Sequence, residues 1–343
     1  KKMEDEFELS QTPFAFLSSC RCCAPLHLLN EDNITPSIDY FSNDEIIQSE
    51  DWSKIKVVFD SHSHIHINRT TKSIPSGYIA VVQSIEEKDW QKAVEFCEQN
   101  PRQFRAAFGI HPWYAHEIIS DQLEIKLRTI LEAHPLAAVG EIGLCKCAKN
   151  VRGPMRESGF TTQLNLMKNQ LRIAATFSRS VSIHCVKAHA SLLQALEEIK
   201  AEQIDEKGAN QKIPAIALHS FSGSAHHVKL FLNHFENSLT RIYFGFSHTI
   251  NVQLNSKPQI LEATILAVPD NLLLVESDLD DIALAPNATK KAIAHIARIK
   301  GWSLEHTAQL TANNARAWLN DSCVHNSEDG SRIVLDPQQK GNT

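Results

Sequence analysis

The 343-residue sequence predicts an α/β chain closed into a TIM (β/α)8 barrel, and three observations lead to it. Eight short apolar, β-branched runs recur along the chain. Their starts lie 23, 26, 32, 45, 32, 29 and 30 residues apart, about what one strand, one helix and two loops require. Stretches of helical period separate them. Continuous apolar runs of this kind are buried on both faces, as in a parallel sheet.

In chain order, Ile55–Phe59 is the first strand, and Tyr78–Ser84 the second with a helix over Glu86–Gln99. Phe104–Gly109 precedes a helix over Asp121–Ala133, and Leu136–Gly140 one over Gly159–Thr176. Val181–His184 leads to His189–Ala201, and Ile213–Leu218 to Ala225–Asn237, capped by Ser224. Ile242–Phe246 is followed by Pro258–Ala267, and Leu272–Val275 by Ala288–Ile299 and Leu304–Leu319. Ser303, with His306 three residues on, caps that last helix. Cys145–Ser158 and Ala201–Lys212 read as long loops or disordered inserts. The division that follows is an acidic, partly disordered extension over 1–54, a barrel over 55–320 and a polar tail over 321–343.

Composition narrows the class. At 43% apolar and 22% charged residues, the chain reads as globular rather than disordered. No apolar run approaches the roughly 18–20 residues that span a bilayer, which excludes a helical membrane protein. The first residues lack a secretory apolar region, so a cytoplasmic or nuclear protein is expected. Up to Lys54 there are eleven acidic and four basic residues, and the remaining body is nearly neutral. That excludes bulk electrostatic gripping of duplex nucleic acid, but not an enzyme that touches a few phosphates. Eight cysteines suit a reducing compartment. Cys20, Cys22 and Cys23 cluster, yet no matching pair follows at zinc-finger spacing, so oxidation-prone surface thiols are the plainer reading.

Barrels of this type carry catalytic groups at the carboxyl ends of their strands. Those ends here read Asp60-Ser61-His62-Ser63-His64, Gly109-Ile110-His111-Pro112, Gly140-Glu141, His184, His219-Ser220-Phe221-Ser222-Gly223-Ser224 and Glu276-Ser277-Asp278. His-x-His on a strand puts both imidazoles on one face. A lone strand-end histidine such as His184 is more often a hydrogen-bonded core residue. Together His62, His64, Glu141, His184, His219 and Asp278 supply four imidazoles and two carboxylates, enough for two ions with open positions. A glutamate reaching from the middle of the ring can bridge them. Zinc or manganese suits such a set better than magnesium.

In order and wording these motifs resemble the TatD family of metal-dependent hydrolases, from about Val57 to Leu319, including the late Asn314-Ala315-Arg316 before Trp318-Leu319. The resemblance implies a TIM barrel with two divalent ions, usually described as magnesium, and deoxyribonuclease or other phosphodiesterase activity on DNA. It implies that His62 and His64 hold a first ion, completed by Asp278, that Glu141 bridges, and that His184 and His219 hold the second. Asp278 is then the residue that accepts the proton of the attacking water. Ser222, Gly223 and Ser224, opening a helix, and His111 are expected to contact a substrate phosphate, although a plain helix cap explains the serine–glycine turn equally well.

Three segments depart from the family pattern: Cys145-Lys146-Cys147, Val186-Lys187-Ala188 and Ile65-His66. With the ligands kept and their surroundings changed, the chain resembles the diverged eukaryotic branch. A 3′–5′ exonuclease acting on ends or single strands is the expected activity. An amidohydrolase acting on C–N bonds is the alternative, disfavoured because Glu141 stands where such enzymes commonly carry a carboxylated lysine. A third reading is a relative whose main role is to bind a protein partner through residues 1–54.

Overall fold

The computed structural model describes residues 52–68, 73–118, 120–202, 212–254 and 257–319. Eight strands lie in chain order in one sheet, each parallel to its neighbours. They are β1 (Val58–Ser63), β2 (Tyr78–Gln83), β3 (Phe104–Phe108), β4 (Ala138–Cys145), β5 (Val181–Val186), β6 (Ala215–Leu218), β7 (Arg241–Ser247) and β8 (Leu273–Glu276). The chain returns from β8 to β1. Ser277 N–H donates to Asp60 Oδ1 at 2.9 Å, the Ser61 hydroxyl to the Val275 carbonyl at 3.0 Å and Asp278 N–H to the His62 carbonyl at 3.0 Å. The sheet is thereby a nearly closed barrel, as the spacing of the apolar runs predicts.

Outside it run α1 (Glu87–Gln99), α2 (Ser120–Ala133), α3 (Arg156–Thr176), α4 (His189–Glu202), α5 (Ala225–Phe235), α6 (Pro258–Ala267), α7 (Ala285–Lys300) and α8 (Leu304–Leu319). Both expected caps form. Ser224 shares a capping box with His227, and Ser303 Oγ accepts from His306 N–H at 3.1 Å. One apolar layer lies between strands and helices. A second fills the barrel, where Phe59, Val81, Ala107, Ala138, Ala217, Tyr243 and Leu274 meet Ala312, Ala315 and Trp318 of α8. Trp318 is fully buried and donates to the Val181 carbonyl, so α8 stoppers the amino-terminal end. Truncating a buried indole of this kind costs about 3–5 kcal/mol.

The other end of the barrel is shaped by two β-bulges. Asp60 pairs with Ala80 but Ser63 with Val82, and Val139 pairs with Val181 but Ile142 with Ile183. In each case three steps along one strand oppose two along its partner. Phe59 and Ala138 pack into the barrel. By strict alternation the residues three positions later, His62 and Glu141, would face the helices. The extra residue in each strand turns them inward.

Cys145–Ser158 differs from its reading as a long loop or disordered insert. Cys145 ends β4, short helical turns occupy Lys149–Val151 and Gly153–Met155, and α3 begins at Arg156. The cause is Gln163 of α3, whose Oε1 accepts from Cys145 N–H at 2.9 Å while its Nε2 donates to Asn150 Oδ1 at 3.2 Å. Gly159 completes the fit, since a Cβ there would lie 1.8 Å from the Asn150 carbonyl oxygen. Residues 1–51, with Cys20, Cys22 and Cys23, residues 203–211 of the other expected insert, and the tail from 320 lie outside the described residues.

Candidate metal centre

Glu141 occupies the centre of the carboxyl-terminal rim, and its two oxygens face different partners. Oε1 is 2.7 Å from His219 Nε2, 2.8 Å from His184 Nδ1 and 3.3 Å from His111 Nε2. Oε2 is 3.5 Å from Nε2 of both His62 and His64. Asp278 Oδ1 stands across from the same pair, 3.8 Å from His62 Nε2 and 3.6 Å from His64 Nε2. Three groups thus have ligand atoms close enough to share an ion: His62/His64/Asp278, His62/Glu141/His219 and His111/Glu141/His184.

Neighbours fix these rings. His64 Nδ1 donates to the Gln83 carbonyl at 2.8 Å, and His62 Nδ1 lies 3.0 Å from Ser182 Oγ. An imidazole held through one nitrogen presents the other in a set direction, as metal-binding histidines do. The rings of His62 and His219 stack with centroids 3.8 Å apart. Asp278 has φ +57°, a left-handed conformation that Asp tolerates better than most residues, and its Oδ2 accepts from Ser220 Oγ at 3.1 Å.

Burial alone would raise the Glu141 carboxyl, but the charges of His219 and His111, with hydrogen bonds from His111 and His184, hold it well below the usual range. Asp278 is likewise held down against burial, by its hydrogen bond with His64 and then the charge of His219. Burial opposes protonation of His64 and His184. The Asp278 hydrogen bond and Glu141 charge nevertheless lift His64 to about 9, and hydrogen bonds to Cys145 and Glu141 lift His184 to about 10. His62 goes the other way, pushed down to about 3 by burial and by His219. The buried Glu141 and the partly exposed Asp278 therefore demand positive charge from the groups around them. Divalent cations among the same atoms satisfy that demand. The donor set fits them, since His62 Nε2 and His219 Nδ1 are buried without a hydrogen-bond partner.

The six residues singled out as metal ligands thus converge, and His111 joins them. Expected at a substrate phosphate, it has its Nε2 3.3 Å from Glu141 Oε1. Ser222 Oγ donates to the Cys185 carbonyl at 3.2 Å, Gly223 packs against the Phe221 ring, and Ser224 caps α5. Sequence reasoning passed over the supporting groups. Asp60 Oδ1 accepts from the backbone of His62 and Ser277, and its Oδ2 from Tyr78 and Thr289. Glu276, pushed up to about 8 by burial, accepts from Ser220 and lies 3.8 Å from His219 Nδ1. Ser182 had a legible signal, since it sits two residues before His184 on one strand.

A parallel (β/α)8 barrel with imidazoles and carboxylates gathered at its carboxyl-terminal rim defines a TIM barrel of the metallo-dependent hydrolase type. This chain belongs to the TatD-related DNase family, whose sequence model matches residues 59–320. It is therefore a hydrolase acting on ester bonds, and the amidohydrolase reading is not favoured. Cut9-interacting protein scn1 of Schizosaccharomyces pombe is 24% identical over 310 residues, 70% of this chain and 90% of that protein. The 3′-5′ ssDNA/RNA exonuclease TatD of Edwardsiella piscicida is 26% identical over 238 residues, 66% of this chain and 81% of that one. The crystal structure of the TatD homologue YjjV from Escherichia coli K12 superposes with a TM-score of 0.58 at 23% identity. It covers 77% of this chain and 98% of its own length, and agrees in fold.

Proposed function

We propose that this chain, in the cytoplasm or nucleus, removes nucleotides from the 3′ end of single-stranded DNA, using two divalent ions, magnesium, manganese or zinc. The observation that carries the reading is the division of Glu141, one oxygen toward His62 and His64 and the other toward His184 and His219. His62, His64 and Asp278 would hold one ion, His184 and His219 the other, with Glu141 between them. Bound there, such ions would supply acidification of a water and neutralisation of charge on a phosphodiester's oxygens. Asp278 stands at the edge of the cluster, partly open to solvent, where a carboxylate can take the proton of the attacking water. His111, Ser222, Gly223 and Ser224 would border the substrate phosphate. The family's metal dependence and the relatives named as 3′-5′ exonucleases support the reading.

The test is digestion of single strands labelled at either end. Stepwise shortening of the 5′-labelled strand, with immediate release of a 3′ label, is expected. The opposite pattern overturns the polarity, and no cleavage by metal-loaded protein overturns the substrate.

A second role, binding a protein partner through residues 1–54, is proposed on the eleven acidic residues of that segment and on the name of the fission-yeast relative. Capture of the same partner by chains with and without residues 1–54 would refute that role for the segment.

A further inference from the structure

The charge of the barrel rim is not evenly distributed. The segment from Cys145 to Arg156 carries Lys146, Lys149, Arg152 and Arg156 and no acidic residue of its own, and Lys187 on the neighbouring β5–α4 turn adds a fifth cation. All five are exposed. Across the barrel the turn after β8 carries Asp280, which is buried, and Asp281, while Glu86 and Glu87 at the start of α1 pair with Lys88 and Lys126.

The basic segment is tied to its neighbours on both sides and adjoins the metal centre. Lys146 N–H donates to the Val186 carbonyl at 3.1 Å, which ties the segment to β5 just before Lys187. Asn150 Nδ2 donates to the carbonyls of Pro112 and Trp113 at 3.0 and 3.3 Å, which ties it to the turn after β3. Trp113, half-buried, packs on Cys145, Ala148 and Val151, and its ring lies 4.5 Å from His111 and 6.3 Å from His184. An aromatic surface beside the reacting centre therefore continues into cations on a clamped segment.

We infer that this quarter of the rim, built from Trp113, Lys146, Lys149, Arg152, Arg156 and Lys187, is the binding surface for the nucleic-acid single strand that trails from the scissile phosphodiester. A phosphate backbone enters over the cations, and a base stacks beside Trp113, the combination that single-strand binders use. The nearly neutral body is then no obstacle, because the cations needed are gathered in one place. The inference rests on the phosphodiesterase reading and adds to it where the polymer lies.

The test measures binding of a fluorescent phosphorothioate strand of about twelve nucleotides, which resists hydrolysis, by the metal-loaded full chain over a range of salt. The variant combines Lys146→Gln, Lys149→Gln, Arg156→Gln and Lys187→Gln. Each single-strand phosphate contact contributes about 0.7 to the slope of log K against log salt, so the slope falls by about 2–3 and affinity by on the order of 10²-fold at 0.1 M salt. Lys149→Gln alone, in case the combined variant folds poorly, lowers the slope by about 0.7. Lys88→Gln with Lys229→Gln, exposed cations on α1 and α5, leaves it at the wild-type value. Wild-type slope and affinity in both loop variants, or no strand binding by wild type, overturns the inference. Hydrolysis of a small chromogenic phosphodiester by wild type separates that outcome from failure of the phosphodiesterase reading, which predicts this hydrolysis whatever the strand does.

Discussion

Replacing Glu141 with Gln changes one atom and the charge at the centre of the cluster. Five imidazole nitrogens lie 2.7–3.5 Å from its two oxygens, so an ion seated between them lies within about 4 Å of the carboxylate charge. At an effective dielectric of about 20, removing a unit charge at that distance costs a cation roughly 4 kcal/mol per unit of its charge, so about 8 kcal/mol for a divalent ion, on the order of 10⁶ in affinity before the other ligands readjust. The amide adds a donor where every neighbour needs an acceptor, so one of the two sites loses its ligand outright. Glu141→Gln is expected to bind at most one equivalent of manganese or zinc by calorimetry, and to lose at least about 10³ in turnover on a single-stranded oligonucleotide. The fold survives, since the barrel core and the α8 stopper do not involve this side chain, and thermal unfolding checks that. A folded variant with two equivalents bound and wild-type turnover would refute the bridging role and the reasoning behind it.

Asp60→Ala strips four hydrogen bonds from a fully buried carboxylate that staples β1 to β2, β8 and α7, and should cost about 3–5 kcal/mol in urea unfolding. Asp60→Asn costs less, because its oxygen keeps the two N–H donors and its amide meets hydroxyls that can turn to accept. The same pair reports a pH dependence. Burial lifts the folded Asp60 pKa to about 6, so wild-type stability is greatest where both folded and unfolded states are protonated, and falls as the pH rises through about 6. Between pH 4 and 7, wild type should lose about 3 kcal/mol relative to Asp60→Asn; an unchanged difference would show that the carboxyl is not perturbed. Ser182→Ala frees the His62 ring and should weaken metal binding about 10–100-fold in a competition titration with a chelating dye, without shifting the unfolding midpoint of the chelated protein. Chelation of the wild type should lower its melting temperature by about 5–10 °C relative to protein with a hundredfold excess of ion over Kd.

Most of the barrel is legible in the sequence because buried parallel strands are written as continuous apolar runs. The misjudged boundaries are informative. Leu136–Gly140 stops short of β4, which runs on to Cys145, and Ile55–Phe59 stops short of β1, which ends at Ser63. β1 continues through the polar residues Asp60–Ser63, which hydrophobic patterning reads as loop, whereas β4 continues through Glu141 into the buried Ile142, Leu144 and Cys145, an apolar run broken by a charge and two glycines. The two bulges are silent for a related reason. One extra residue leaves the composition unchanged yet reverses which face His62 and Glu141 present. The metal-ligand candidates could be chosen from strand ends alone because barrel topology brings such ends together. The position of His111 against Glu141 could not, since it depends on the turn that Pro112 and Asn150 hold after β3. The apparent insert at Cys145–Ser158 is ordered by Gln163 and Gly159, contacts made across α3 that no local signal encodes.

The most direct test of a two-ion phosphodiesterase at this rim is metal titration of cleavage of an end-labelled single strand, by wild type and by Asp278→Asn. Wild type should cleave only with added divalent ion, its rate levelling off at two equivalents, while the folded variant retains less than about 10⁻² of that rate. Cleavage in excess chelator, or a wild-type rate from Asp278→Asn, would contradict it.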